Sequence, residues 1–230
     1  MAMVLAGVAS LAGAAAYVWS LPSVAGAEKR VTRILSAHHS TSVGVPPPAK
    51  LAAALVDTED EHFYDNFIFN TATGVARVLL HLVTGGPSPG GSTIEQQLAK
   101  MLYVHHTGLA AEFEQVGLAA RLDLRYSKAQ ILQMYLDRVY LGNGYYGAQA
   151  AAHGYFGTSV HHLSWAQAAL LGGLPQAPSA YDPFHHLAAA KLSQSHVLRQ
   201  LAANGHISPA QAAAYYSAPL GLRRHPLPTK

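Results

Sequence analysis

The sequence contains no cysteine. That excludes a disulfide-stapled scaffold, an iron–sulfur site and a cysteine nucleophile, while leaving the compartment undecided. Charge is also scarce: only 12% of the 230 residues are Asp, Glu, Lys or Arg, against 50% apolar. A disordered tail or a coiled coil needs far more. The formal charge of +3 is too small to argue for nucleic acid, but suits an anionic ligand or a lipid surface. Fourteen histidines are counted neutral in that sum, so the charge rises sharply in acid. No clean alternating run of strand residues and no internal repeat is evident. Neither G-x-S-x-G nor S-x-x-K occurs in a context useful for a Ser nucleophile; Gly86-Pro87-Ser88-Pro89-Gly90 fits the first spacing only inside a Pro-Gly loop. No H-E-x-x-H or H-x3-H spacing occurs. Histidines instead come as neighbours: His38-His39, His105-His106, His161-His162 and His185-His186. Adjacent helical residues point about 100° apart, so such pairs rarely chelate together and no metal site is assigned.

Missing charge has a second consequence at the N-terminus. Nothing between Ala2 and Ala27 is ionisable as Asp, Glu, Lys or Arg. About 20 apolar residues span a bilayer, and Tyr17 and Trp19 suit its interface. The segment 1–27 is expected to be a membrane anchor, a transmembrane helix ending near Pro22. Ala25-Gly26-Ala27 also resembles a signal-peptidase site, although the usual basic leader is missing. A buried soluble helix is the third reading. Lys29, Arg30 and Arg33 follow the span, which by the positive-inside rule favours a cytoplasmic domain.

What the chain has in quantity is helical patterning. Residues 28–50 read as a stalk or linker, stiffened by Pro46-Pro47-Pro48. Residues 51–216 read as one all-α domain, and 217–230 as a Pro- and Arg-bearing tail that frays. Four capping boxes mark helix starts: Ser92 with Glu95, Ser127 with Gln130, Ser164 with Gln167, and Ser208 with Gln211. Ile94, Leu98, Met101 and Leu102 form one apolar stripe; Ile131, Leu132, Tyr135, Leu136 and Val139 form another.

Three segments carry candidate chemistry. Asp57, Glu59, Asp60, Glu61 and Asp65 are five of only twelve acids. Their mutual repulsion raises pKa values toward those of a general base, unless they form a solvated helix end. In GGPSPGGSTIEQQLAK, residues 85–100, a Gly-rich loop opens onto a helix N-terminus, which makes an anion site. Thr93, Gln96 or Gln97, and Lys100 share its polar face, and phosphate or pyrophosphate is the natural ligand. A P-loop is excluded by the missing lysine and strand. In the third segment, residues 125–157, Lys128 stands in a first helical turn, where the dipole disfavours a cation. Tyr140, Tyr145 and Tyr146, with nearby glycines, suit either a carbohydrate-facing loop or core aromatics.

In order, these segments resemble the peptidoglycan glycosyltransferases of family 51, the domain of class A penicillin-binding proteins and of monofunctional membrane transglycosylases. GGSTIEQQLAK, YSKAQILQMYLDRVYLGNGYYG and ALLGGLPQAPSAYDP are similar to the family's second, fourth and fifth motifs. The resemblance runs from about Leu51 to Ala214. It implies a lysozyme-like all-α domain beside the bacterial cytoplasmic membrane, single-pass and on the extracytoplasmic side, against the charge rule. The implied partners are lipid II, the growing glycan strand, the membrane and proteins of cell-wall synthesis, without nucleic acid. No cofactor is required, and a divalent cation such as Mg2+ is left open. The lack of a β-lactam-type Ser motif implies no transpeptidase domain.

The resemblance also gives residues roles. Glu59 in TEDEHF matches the first catalytic Glu, the general base toward the acceptor hydroxyl. Asp60 and Phe63 belong to the same motif. Ser92, Thr93, Gln96, Gln97 and Lys100 fall where the family holds lipid-linked sugar and pyrophosphate, and Lys128 matches a motif lysine. The first motif reads roughly E-D-x-x-F-x-x-H-x-G in the family, and here its last two places are Asn66 and Ile68. The third reads R-K-x-x-E. Counted back from Tyr126 without gaps, its Glu falls on Gln115 and its Arg-Lys pair on Ala111 and Glu112. A one-residue gap brings Glu114 there instead. The implied activity is inverting polymerisation of lipid II with release of undecaprenyl pyrophosphate. The alternative is a catalytically weakened relative that binds lipid II or nascent glycan as a scaffold or regulator. A lysozyme-like hydrolase is the third reading, and it needs a partner acid for Glu59.

Overall fold

The computed structural model describes residue 13, residues 16–64 and residues 92–223. Among them the only regular structure is helical, apart from an isolated antiparallel bridge between Tyr140 and Tyr146. The all-α expectation therefore holds.

Helix α1 (Ala27–Ala37) buries Ala27, Val31 and Leu35, one residue per turn along a single stripe. That stripe packs chiefly against α5 (Lys128–Arg138), with further contact to α3 (Ile94–Tyr103). The segment expected as a stalk thus begins inside the fold. Its irregular part is tied down as well. The Val43 amide donates to buried Asp137 at 2.7 Å, and His161 Nε2 lies 2.9 Å from the Val43 carbonyl. Lys50 donates to the Leu163 carbonyl at 3.0 Å. The correction to a free 28–50 spacer has a simple cause: apolar residues at helical spacing in 27–35 were hidden behind the charges at Lys29, Arg30 and Arg33.

Helix α2 (Ala49–Glu59) crosses α7 (Trp165–Gly172) at close range. A side chain at Gly172 would meet Ala54 at 3.0–3.1 Å, so the small residues on both helices permit the contact. Helix α8 (Leu187–Ala203) closes over this pair, and α9 (Pro209–Ser217) packs on α8. Ala54, Ala169, Val197, Leu198, Leu201 and Ile207 form their small shared core. On the other side, α4 (Leu109–Arg125) and α5 lie against α3 and build most of the larger core. Helix α6 (Ala148–Phe156) and a 3-10 turn at Val160–His162 complete it. Glu59 ends α2 and so lies at the junction of the two cores.

Capping boxes form at Ser127, Ser164 and Ser208 with Gln130, Gln167 and Gln211. The fourth start is shifted by one residue. Thr93, not Ser92, is the N-cap of α3, accepting from the Gln96 amide. Glu95 is therefore not the returning side chain of a box. It is buried and bound to Lys128.

Residues 1–12, 14 and 15 of the expected anchor lie outside the described residues, as do Asp65, Asn66, Ile68, the Gly-rich loop through Gly91 and the tail from 224. Among the described residues no helix is long and apolar enough to cross a membrane. The described end of segment 1–27 is docked on α4. Residues 16–20 are helical, and a side chain at Gly117 would meet Leu21 Cδ1 at 2.4 Å. The Arg121 guanidinium donates to the carbonyls of Val18, Trp19 and Leu21 at the end of this helical turn.

Candidate active site

The site is assembled where the end of α2 meets the start of α3. Asp60 Oδ2 accepts from the Ile94 amide at 3.0 Å, placing a carboxylate on the electropositive end of α3. This contact fixes the turn after α2 and with it Glu59. Gln97, one turn into α3, donates from Nε2 to Glu59 Oε2 at 2.9 Å and lies 3.4 Å from the Ser92 carbonyl. Its own Oε1 accepts from Tyr135 OH at 2.9 Å. Tyr135 is fully buried on α5, so the relay Tyr135–Gln97–Glu59 anchors the carboxylate to the larger core.

Only one oxygen of Glu59 is used in this way. Oε1 is buried and has no hydrogen-bond partner among the described residues. Burial pushes the Glu59 pKa up; the Gln97 hydrogen bond works against this, and the charge of Asp60 adds to it. Repulsion among the acids is thus a lesser cause than desolvation. Asp57 is raised by burial too, but it faces His206 at 3.5 Å in the turn between α8 and α9 and takes no part in the site.

Phe63 and Lys128 meet below the same turn. The Lys128 ammonium lies 4.8 Å from the centre of the buried Phe63 ring. It also reaches Glu95 Oε1 at 2.5 Å and Asp123 Oδ1 at 2.8 Å. Burial opposes its charge, but the bonds to Asp123 and Glu95 prevail and hold its pKa above the ordinary lysine value. The two carboxylates explain a cation in the first turn of α5: its counter-charges come from α3 and α4 and outweigh the local dipole.

Thr93 and Gln96 are buried beside α4 rather than on an open polar face. Ser92 is exposed just before the helix, and Lys100 is exposed in the last turn of α3. The structure thus brings Glu59, Asp60, Gln97, Phe63 and Lys128 together and leaves Lys100 apart from them. Glu95, Asp123 and Tyr135 were not singled out from sequence as site residues. The signal for Tyr135 was its place in the buried stripe, which says nothing of where its hydroxyl points.

Helix α4 places the candidate residues near 115 on different faces. Val116, Ala119, Ala120 and Asp123 face Thr93, Glu95 and Gln96 at the start of α3. Glu112 and Gln115 precede Val116 and Ala119 by one turn, so they continue this face. Glu114 shares a face with Gly117 and Arg121, toward residues 17–21. It pairs with His106 at 3.4 Å. The helix is unbroken from Leu109 to Arg125, so Glu114 and Gln115 stay on different faces. Glu112 Oε2 is buried and unpartnered among the described residues.

In the loop after α5 one tyrosine is core and one is half-buried. Tyr145 is buried edge-on to Tyr155 at 4.9 Å, and Tyr146 stacks on His38 at 4.0 Å. Among the described residues no group of three or more His, Asp or Glu is placed to hold a metal ion.

A family model described as Transglycosylase matches residues 28–202. The chain belongs to the transglycosylase family. This is the glycosyltransferase domain that class A penicillin-binding proteins carry. Penicillin-binding protein 1A of Aquifex aeolicus is 36% identical over 178 residues, covering 77% of this chain and 24% of that protein. Penicillin-binding protein 1F of Bacillus subtilis is 35% identical over 176 residues, covering 76% and 25%. A crystal structure of penicillin-binding protein 1A from Haemophilus influenzae aligns with a TM-score of 0.41 at 32% identity, over 44% of this chain and 15% of that one. The chain spans about a quarter of the length of the curated relatives it matches. The transglycosylase match begins at residue 28, so α1, expected as stalk, falls within the matched region.

Proposed function

We propose that this transglycosylase domain polymerises lipid II, with Glu59 as general base. The observation that carries the reading is the half-satisfied carboxylate: Gln97 holds Oε2, and Oε1 is desolvated and unpartnered among the described residues. A buried acceptor without a donor is costly, and an incoming hydroxyl supplies one. Glu59 Oε1 takes the proton of the 4-hydroxyl on the acceptor GlcNAc. The freed oxygen attacks C1 of the donor MurNAc from the face opposite its pyrophosphate. The C1–O bond breaks, undecaprenyl pyrophosphate leaves with the electron pair, and the anomeric centre inverts.

The other residues support that step. Asp60 and Gln97 fix the base; exposed Ser92 lies on the approach at the α3 N-terminus, whose dipole favours an anion, and buried Thr93 and Gln96 hold that terminus in place. Lys100 offsets charge on the leaving pyrophosphate from the exposed end of α3. Lys128 acts through Phe63, Glu95 and Asp123 as a positioning residue. No step is routed through a cation. The substrate places the domain at the extracytoplasmic face of the cytoplasmic membrane.

A second reading is a weakened relative that binds lipid II without efficient turnover. The observation favouring it is the α4 face that presents Gln115 and Glu112 where the family motif carries a Glu and a cation. A Gln can donate a hydrogen bond but cannot exchange a proton. One assay separates the readings: lipid II polymerisation by detergent-solubilised protein beside Glu59→Gln and Gln115→Glu. Glycan chains from the wild type that vanish in Glu59→Gln support the transferase. Chains from Gln115→Glu alone establish the lipid II-binding relative, and cleavage of finished glycan overturns both.

A further inference from the structure

A groove of about 520 Å³ opens between α1, the end of α3 and the end of α5. It lies one helical turn from the Glu59 relay, since Met101 follows Gln97 by four residues and Arg138 follows Tyr135 by three. None of its lining residues belongs to that relay. The floor is apolar, made by Ile34, Met101 and Leu102. The walls are cationic: Arg30 and Arg33 from α1 and Arg138 from α5, with His38 and His105 at the rim. No carboxylate lines it. In a chain whose acids number twelve against fifteen Lys and Arg, that segregation is local, not global.

Arg138 shows that the groove lacks an anion. Its Nε is buried without a partner among the described residues. Its guanidinium packs 5.6 Å from the Tyr146 ring, which His38 stacks against on the other side of the pair. Burial lowers its pKa; what opposes this comes from the Tyr146 phenol and not from a carboxylate. A partly desolvated guanidinium without a counter-charge is expensive unless a ligand completes it. The guanidinium fork matches a phosphate. Apolar floor and phosphate-matching wall together describe an amphiphile: headgroup on the arginines, stem along Ile34 and Met101. The uncharged segment Ala2–Ala27 leads directly into α1, and Trp19 before it is 74% exposed. An exposed Trp and an uncharged lead-in are features that suit a lipid interface.

We infer that the groove between α1, α3 and α5 is a binding site for an anionic membrane phospholipid, its phosphate held by Arg138 and Arg33. It is separate from the catalytic cleft and does not depend on the glycosyltransferase reading.

The test is flotation of the full chain with phosphatidylcholine vesicles, with and without phosphatidylglycerol. Insertion of the N-terminal segment contributes equally to every variant, so the ratio of binding to the two vesicles reads the groove. Arg33→Gln is exposed on α1 and should lower that ratio about fivefold, the value of one cation at a lipid surface. Arg138→Gln should lower it at least as much, although Arg138 is recessed. Lys29→Gln, an equally close charge outside the groove, should change it less than either. Equal losses for Lys29, Arg33 and Arg138 would mean a diffuse basic surface and overturn the site. An unchanged ratio in Arg33→Gln overturns it as well. Inorganic pyrophosphate added to the wild type should not release the vesicles; release at millimolar concentration would replace the lipid with a soluble anion and overturn the assignment.

Discussion

Glu59 and Gln115 are the positions that the motif resemblance assigns to two glutamates, and their surroundings differ as much as their charge. Glu59 is over-determined. Its helix packs through Ala54 against Gly172, the next residue caps α3, and Gln97 ties its carboxylate to the buried Tyr135. Gln115 is half-buried on a face of small residues, beside Glu112 where the motif carries a cation. One region keeps a charge in a desolvated place at some cost. The other has lost the charge while its helix stays intact. Scaffold and chemistry are thus separable: packing around α4 does not require a carboxylate at position 115, whereas proton transfer from that position would.

The largest effect that tests this contrast is on Glu59. Glu59→Gln keeps the Gln97 contact but removes the base, and polymerisation should fall by ~10²–10⁴. A fall under tenfold would remove Glu59 from the mechanism. Lys128→Met comes next, because it strands Glu95 and Asp123 together in the interior. Breaking a buried pair in this way costs about 3–5 kcal/mol, read from the denaturant midpoint. Lys128→Arg should recover part of it, whereas a lysine acting only on substrate would leave stability untouched in both variants. Gln115→Glu restores a carboxylate on an existing face. Polymerisation should rise by about 10² if that place is where the second proton-handling group belongs.

A smaller effect sharpens the Glu59 side. The raised Glu59 pKa requires the acid limb of the rate profile to lie above the ordinary glutamate value. Gln97 stabilises the ionised form, so Gln97→Leu should move that limb to still higher pH. A shift downward, or none, would mean the limb reports another group. The smallest effect concerns Asp57, raised by burial and outside the site. A raised pKa favours the protonated form in the folded state. Its contribution is present below the unfolded pKa and lost as pH rises through the folded one. Asp57→Asn should therefore gain about 1 kcal/mol or less at pH 7 and nothing at pH 4.

Much of this was legible in the sequence. Three of four capping boxes lie where Ser-x-x-Gln predicts them, because the motif closes within one turn and needs no distant partner. The fourth was misread since Glu95 found a stronger partner in Lys128, which only tertiary packing brings near. Residues 28–50 were misread as a spacer because their apolar stripe is short and interleaved with arginines, and its burial depends on α5. Tyr145 and Tyr146 could have faced sugar or core on composition alone; the turn between Tyr140 and Tyr146 sends Tyr145 into the core and leaves Tyr146 half-buried against His38.

By itself the sequence determined the helical class, the helix starts, the motif order that marks the family, and the identities of Glu59 and Gln115. These depend on residues within a few positions of one another, where spacing is geometry. The tertiary structure alone decided which oxygen of Glu59 is held and which is open, that Lys128 is bound by two acids, which side of α4 Glu114 occupies, and that three arginines share a groove without a carboxylate. Those outcomes depend on contacts across 30 to 100 residues of chain, such as Gln97 to Glu59 at a separation of 38 and Val43 to Asp137 at 94. No local pattern encodes them, because the free energy that selects them comes from burial shared by distant helices.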